Sequence, residues 1–461
     1  MPTFSRTLRV PVPAAELFAW HERPGAFERL NPPWQPVQVT HRSGGIRDGA
    51  RVVLRVPIAG PIGIPWELTH RDYIAGVQFR DEQVRGPFAR WSHLHAIAPD
   101  GAGASILTDT IDFAAPFPLL GGALVDAVLV AELDRLFRYR HAVTAGDLQR
   151  HAAYPGAPLR VAISGATGLI GSALDAFLTT GGHRVHRIVR GAPDPTRPDA
   201  DIRWDPARGT IDAHALEGVD AVIHLAGASV AERWSDAHRA EILTSRVRST
   251  ELLARTIAGL TRKPAVFISS SAVGIYGNRG DESLDETSLA GAGYLADVGR
   301  AWESAAESAR AAGVRVVHPR TGIVLAAAGG ALAKLVPIYQ IGGGGPIGQG
   351  RAYQPWMALD DWLGALLHVL RTPTVHGPVN FTGPAPVPQR EFAKTLGAVL
   401  RRPAIAPVPP MALAAMFGRE MANEVLLSSQ RAYPRALEAS GFVFRHATLA
   451  DALRFELGRP D

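Results

Sequence analysis

The chain has 461 residues, 46% of them hydrophobic and 20% charged, proportions that exclude a disordered linker or tail and leave room for about three folding units, or one large α/β domain plus a smaller partner. The net charge is +5, but lysine occurs only at Lys263, Lys334 and Lys394, so 45 of the 48 basic residues are arginines, scattered among 43 acids without a run or stripe; nucleic acid is not an expected partner. With no cysteine, disulfides, thiolate nucleophiles and Cys-ligated metals are excluded together.

The first twenty residues carry no basic stretch followed by an apolar run, so no secretory signal is expected. The most apolar stretch, Gly121 to Phe137, is broken by Asp126, Glu132, Asp134 and Arg135 and is too short and too charged to span a bilayer. A soluble cytoplasmic protein without membrane insertion is the expectation. Its oligomeric state is not legible from sequence.

In chain order, a rough alternation of Phe4, Leu8 and Val10 with polar residues predicts an edge strand, and Ala14 to His21 a short helix. After the turn Asn31-Pro32-Pro33-Trp34, alternating runs predict strands at Val37 to His41, Ala50 to Val56, Trp66 to Tyr73, Val77 to Val84, Ala89 to Ala98 and Ser105 to Phe113. A long helix, Leu120 to His141, closes the segment with Leu124, Val128, Leu133, Leu136 and Phe137 on one face. His93 and His95 fall two apart on one strand face. Without a third ligand at a suggestive spacing they are expected to line a cavity or the surface, and no metal is expected.

This order, together with Phe18-Ala19-Trp20-His21, Asn31-Pro32-Pro33-Trp34 and Gly86 to His93, resembles the START/polyketide-cyclase-like (SRPBCC) helix-grip domains. The resemblance implies a curved sheet wrapped on a long helix, with a cavity for an apolar ligand. It covers residues 1–150.

From Leu159 the pattern changes to strand, glycine turn, helix and strand, which predicts a doubly wound parallel sheet. Strands are expected at Arg160 to Ser164, Arg184 to Val189, Ile202 to Asp205, Ala221 to Leu225, Ala265 to Ser269 and Val314 to His318. Gly165-Ala166-Thr167-Gly168-Leu169-Ile170-Gly171 directly follows an apolar strand. Gly165 suits the tight turn, Gly168 a close backbone approach to a pyrophosphate, and Gly171 helix-on-strand packing, while free N–H groups around Thr167, Leu169 and Ile170 face the anion. The second strand ends at Arg190 with no acid before Asp194, which favours NADP over NAD because arginine pairs with a 2′-phosphate. Asp205 either reaches the adenine edge or serves the turn before Pro206. Leu225-Ala226-Gly227 and Ser269-Ser270 end two further strands in mostly small residues, across which a flat cofactor can lie.

Here the chain resembles the extended short-chain dehydrogenase/reductase superfamily. More narrowly, it resembles the NAD-dependent epimerase-like proteins that end in a domain of unknown function. Trp204-Asp205-Pro206, Ser245-Arg246-Val247, Arg320-Thr321-Gly322, Gly344-Gly345-Pro346-Ile347-Gly348 and Leu427 to Arg431 carry the likeness. It implies a Rossmann-type domain over residues 159–375 and a substrate lobe over 376–461. It also implies a serine at Ser271 that orients a substrate oxygen, beside a tyrosine and a lysine four residues on. The sequence departs there: Tyr294 is followed at that spacing by Val298, and the neighbouring register, Leu295, by Gly299. Tyr294 remains a candidate acid without its cation.

The expectation is therefore an α/β protein with a Rossmann-type sheet and substrate lobe behind an α+β helix-grip domain. It would bind NADP(H) and act as an epimerase or oxidoreductase on an unknown small molecule, with an apolar ligand in the first module. The alternative is a catalytically inactive NADP(H)-binding sensor or scaffold. Gln354, Pro355, Trp356 and Asp360 are expected near the substrate pocket, with the glycine run from Gly342 to Gly345 as a flexible loop over it.

Overall fold

Residues 2–35, 37–59, 62–115, 123–197 and 199–459 are described by a computed structural model. They form two units, Met1–Gly156 with Ala176–Gly182, and Ala157–Asp175 with His183–Arg459.

In the first unit, β1 (Thr3–Val10) precedes α1 (Ala14–Glu22) and α2 (Ala26–Leu30). Six strands follow: β2 (Gln38–Ser43), β3 (Arg51–Ala59), β4 (Ile62–Ile74), β5 (Gln78–Arg85), β6 (Arg90–Pro99) and β7 (Ser105–Ala114), and α3 (Ala123–Ala153) closes the unit. All seven strands join one sheet in the order β1-β7-β6-β5-β4-β3-β2, with every neighbouring pair antiparallel. Along β7, Ser105, Leu107, Asp109, Ile111 and Phe113 are buried in strict alternation, the two-residue period that puts one strand face in the core. Register shifts between Val39 and His41, Pro57 and Ala59, Glu67 and Leu68, and Arg71 and Ile74 bend these strands and curve the sheet.

The element order follows the expected strand, helix, strands and long helix, but the long helix differs from expectation. It runs on to Ala153 rather than ending at His141; its expected start at Leu120 and the side chain of Leu124 lie outside the described residues. Val128, assigned to the apolar face, is exposed and Leu129 takes its place, while Leu133, Leu136 and Phe137 meet the sheet as expected. Past Phe137 the buried positions are His141, Val143, Thr144, Gly146, Asp147 and Leu148. Three of the six are polar and one is glycine, so the apolar period fades while the helix continues.

The second unit begins with β8 (Arg160–Ser164), α4 (Leu169–Thr180), β9 (Arg184–Val189), β10 (Ile202–Asp205), β11 (Thr210–Ile211) and β12 (Ala221–His224). It continues with α5 (Asp236–Gly259), β13 (Val266–Ser269), β14 (Ser271–Ala272), β15 (Ser283–Leu284), α6 (Tyr294–Ser304), α7 (Glu307–Ala311) and β16 (Arg315–Thr321). Its main sheet has the order β11-β10-β9-β8-β12-β13-β16-β14, parallel apart from the β10–β11 pair. Val161, Ala162, Ile163, Val222 and Ile223 are fully buried, as parallel strands covered on both faces require. The winding reverses between β8 and β12, and such a switch point opens a crevice at the strand C-termini where ligands bind.

The boundary expected at 375 falls just before a further strand of this sheet. The strand Gly377–Phe381 pairs in parallel with β16 inside this same sheet, and the chain beyond it stays in the same unit. Leu325, Leu332 and Trp356 pack in one cluster with Phe392, Leu396 and Leu453, so apolar burial ties the two sides of that boundary together. No helix among the described residues is long and apolar enough to cross a membrane.

Candidate functional site

The glycine turn sits at the switch point. Gly165 has φ +74°, a conformation that glycine adopts without penalty, and a Cβ there would stand 2.8 Å from the Ala226 amide nitrogen. A Cβ on Gly171 would be driven into the Gly165 carbonyl oxygen and would stand 2.8 Å from Ala166 Cα. Gly168 differs: its N–H closes the turn on the Gly165 carbonyl at 3.0 Å, yet an added Cβ would meet only that oxygen, at 3.3 Å. Two glycines thus serve packing, and the third borders open space. Thr167 and Gly168 are exposed, and Leu169 and Ile170 half-buried, at the start of a 12-residue helix whose first N–H groups and dipole favour an anion.

Arg190, just past β9, is exposed and forms no ion pair among the described residues. Asp205 accepts from the backbone N–H groups of Ala207 (3.0 Å) and Arg208 (3.2 Å), which is the turn role. Leu225 and Ala226 are half-buried, and Gly227 is exposed. Ser270 is 8% exposed and Ser269 fully buried within the sheet, so Ser269 contributes through its backbone.

Beneath this edge lies His224, with Nδ1 2.6 Å from Ser164 Oγ and Nε2 2.8 Å from Ser249 Oγ. Burial, reinforced by the Arg246 charge, pushes it down to about 3, leaving a neutral imidazole. Arg246 itself backs Gly227, donating to the Ala228 carbonyl at 3.0 Å, with its guanidinium 4.9 Å from the Trp302 ring centroid. Burial lowers Arg246 to about 10, so it stays charged at neutral pH.

Ser271 is 2% exposed, and its hydroxyl donates to Glu303 Oε1 at 2.7 Å. Both Glu303 oxygens accept from Arg320, at 2.8 and 2.9 Å. Arg320 also donates to Tyr276 Oη at 3.0 Å, and Tyr276 donates to Asn380 Oδ1 at 2.8 Å. Burial would raise Glu303, but the Arg320 hydrogen bonds and charge prevail and hold it below its usual value. Sequence reading missed Glu303, Arg320, Tyr276 and Asn380, which only the fold brings together; the Arg-Thr-Gly and small-residue strand motifs were the available signal.

Tyr294 donates its hydroxyl to the Arg239 carbonyl at 2.5 Å and packs edge-on to Trp234. Burial raises its phenol, against the pull of Arg246 and Arg239. Neither tyrosine register has a lysine: Val298 is 4% exposed, and a Cβ on Gly299 would stand 2.9 Å from Ile275 Cβ.

Other expected substrate-side residues lie in packed surroundings. Trp356 is buried and donates to the Ala385 carbonyl at 2.9 Å, and Asp360 is buried against Arg445 at 3.0 Å. The glycine run packs too: a Cβ on Gly344 would overlap the Tyr339 ring, and one on Gly345 the Ala406 carbonyl. In the first unit, His93 and His95 are 2% and 5% exposed and lie inside rather than on the surface.

Comparison with known proteins fits this geometry. The NAD dependent epimerase/dehydratase family matches residues 161–380, and a domain of unknown function matches residues 408–456. An epimerase family protein of Mycobacterium bovis is 44% identical over 301 residues, 65% of this chain and 98% of that protein. The human epimerase family protein SDR39U1 is 34% identical over 64% of this chain and 99% of its own length. A crystal structure of human SDR39U1 (isoform 2) with NADPH aligns at TM-score 0.59, with 32% identity over 65% of this chain and 99% of that one. The crystal structure of a protein described as the nucleoside-diphosphate sugar epimerase from Corynebacterium glutamicum aligns at TM-score 0.80 with 32% identity. That alignment covers 99% of this chain and 90% of the other, and so reaches both units. With the glycine turn at its switch point and these relatives covered almost end to end, the chain belongs to the NAD dependent epimerase/dehydratase family.

Proposed function

We propose that the second unit binds NADP(H) and acts as an epimerase- or oxidoreductase-like module on a small-molecule substrate. The observation that carries this is Gly168, where the turn stays open to the one side on which a diphosphate can approach the α4 N-terminus. The human relative solved with NADPH supports the choice of cofactor, as does Arg190, exposed where a ribose 2′-phosphate would arrive.

When bound, the cofactor supplies a hydride donor or acceptor. The N–H groups from Thr167 to Ile170 hold the diphosphate, the turn capped by Asp205 flanks the adenosine end, and Leu225, Ala226, Gly227 and Ser270 form the wall it lies on. The Ser271 hydroxyl hydrogen is engaged by Glu303, so Ser271 orients a substrate hydroxyl by accepting a hydrogen bond from it. The Tyr294 proton is engaged by the Arg239 carbonyl, which leaves water to carry the substrate proton. We place this activity in the cytoplasm, a reducing compartment with which a chain lacking cysteine is compatible.

A second reading, an NADP(H)-binding sensor or scaffold without turnover, is favoured by the buried Val298 and by the closed space at Gly299, which leave no place for the customary lysine. In the first unit, the curved sheet gripping one long helix supports a START/polyketide-cyclase-like role, holding an apolar or amphipathic small molecule.

The test is titration of the full chain with NADPH, followed by incubation with a panel of carbonyl compounds. Oxidation of NADPH supports the enzyme, binding without oxidation supports the sensor, and no binding overturns both.

A further inference from the structure

The densest group of titratable side chains in the first unit lies on one face of its sheet. Strand register explains how it assembles. Asp81 on β5 stands opposite His93 on β6, and opposite His70 on β4. His95 stands opposite Asp109 on β7. Directly opposed residues share a face at roughly 5 Å between Cβ atoms, so five polar side chains from four strands converge where an apolar interior is the norm.

We propose that Asp81, His93 and His95 bind a divalent first-row transition ion of the Zn2+ class, leaving a coordination position for water or for a ligand of the first unit. One ligand atom from each of the three lies within 4.8 Å of the other two. Asp81 Oδ2 is 3.5 Å from His93 Nδ1 and 3.3 Å from His95 Nε2. An ion bound tetrahedrally by nitrogen and oxygen at about 2.0–2.1 Å separates its ligand atoms by about 3.3 Å, so two edges of the polyhedron are already close to the required length.

The surrounding groups do what the outer partners of metal ligands do. His93 turns its Nε2 to Asp109 Oδ1 at 2.9 Å; donation there leaves Nδ1 with the lone pair a metal needs. Asp109 Oδ2 is fixed by His141 Nε2 of α3 at 2.6 Å. The second oxygen of Asp81 is held 2.8 Å from His70 Nε2, which frees the first. His95, 5% exposed, is packed flat on Phe79 with ring centroids 4.1 Å apart. Its Nδ1 lies 2.8 Å from Asp109 Oδ1 but makes no hydrogen bond there. Four histidines already surround the carboxylates of Asp81 and Asp109, and a divalent ion would sit where the two imidazoles of His93 and His95 and the Asp81 carboxylate converge. Two histidines and one carboxylate with an open position suit zinc or ferrous iron and do not suit calcium or magnesium.

The full chain, stripped with a chelator and titrated with Zn2+ and Co2+ in a calorimeter, decides the matter. The expected result is one equivalent bound, a Co2+ visible spectrum of a low-coordinate imidazole–carboxylate site, and a melting temperature raised by Zn2+ but not by Mg2+. Asp81→Asn and His95→Gln lower affinity at least 100-fold, and Asp109→Asn lowers it about 10- to 100-fold. Stoichiometric binding with undiminished affinity in Asp81→Asn or His95→Gln overturns the assignment. So does the absence of stoichiometric binding to the unaltered chain. Should the variants fail to fold, the Co2+ spectrum of the unaltered chain decides by itself: intense low-coordinate bands support the site, and the weak bands of a six-coordinate ion overturn it.

Discussion

Gly168 and Gly171 sit three residues apart in one turn, yet the structure gives them opposite substitution profiles. In Gly171→Ala the new methyl collides with the Gly165 carbonyl and crowds Ala166 Cα at 2.8 Å. Both are backbone atoms of a turn that cannot step aside. Overpacking of this kind costs about 1–3 kcal/mol, more than the roughly 1 kcal/mol that alanine gains over glycine in a helix. At about 2–4 °C per kcal/mol, the melting temperature should fall by several degrees. In Gly168→Ala the methyl meets only the Gly165 oxygen at 3.3 Å, so stability should stay within about 0.5 kcal/mol of the parent. The same methyl occupies the approach of the diphosphate, and NADPH affinity should drop at least tenfold, about 1.4 kcal/mol. Thermal melts with and without NADPH read both effects. Saturation at about 100 times Kd adds about 2.7 kcal/mol to the parent, and the same NADPH concentration should add no more than about 1.4 kcal/mol to Gly168→Ala. A Gly168→Ala protein stabilised by NADPH like its parent, or a Gly171→Ala protein melting no lower than its parent, would refute the reasoning.

Three further outcomes follow from the second unit. Glu303→Ala leaves the Arg320 guanidinium, 8% exposed, without its two-point partner. Breaking such a buried pair costs about 3–5 kcal/mol, and denaturant unfolding that finds less than about 1 kcal/mol would contradict the network. His224 is held at about 3 when folded, against 6.5 when free. Its contribution to stability is therefore complete above pH 6.5 and erodes as pH falls towards 3, by about 3 kcal/mol at pH 4; His224→Gln should flatten this part of the stability–pH curve, and an unchanged slope would count against it. Arg190→Ala should weaken NADPH while sparing NADH, read by competitive titration; equal losses for both would remove Arg190 from the 2′-phosphate.

What the sequence revealed is what is local in it. β8, β9 and β10 begin and end where the strands at Arg160, Arg184 and Ile202 were predicted: β8 carries a continuous apolar run, and in β9 and β10 apolar residues are interspersed with polar ones between turns. The three-glycine turn is legible because its spacing is local, Gly168 and Gly171 both closing on Gly165, although Gly165 itself packs against Ala226 just past β12. Gly377-Pro378-Val379-Asn380-Phe381 was not legible, because glycine, proline and asparagine look like a turn until β16 supplies the partner. The Ser271–Glu303–Arg320–Tyr276–Asn380 chain joins residues up to 104 positions apart. The Asp81 and Asp109 neighbours of His93 and His95 depend on cross-strand register, which no spacing along the chain encodes. The last turns of α3 were lost because its buried face carries His141, Thr144 and Asp147.

The most direct measurement is a calorimetric titration of the purified full chain with NADPH and, separately, with NADH. The account predicts one saturable site that prefers NADPH and is abolished or strongly weakened in Gly168→Ala. Absence of binding heat with either nucleotide, or equal binding by parent and variant, would contradict it.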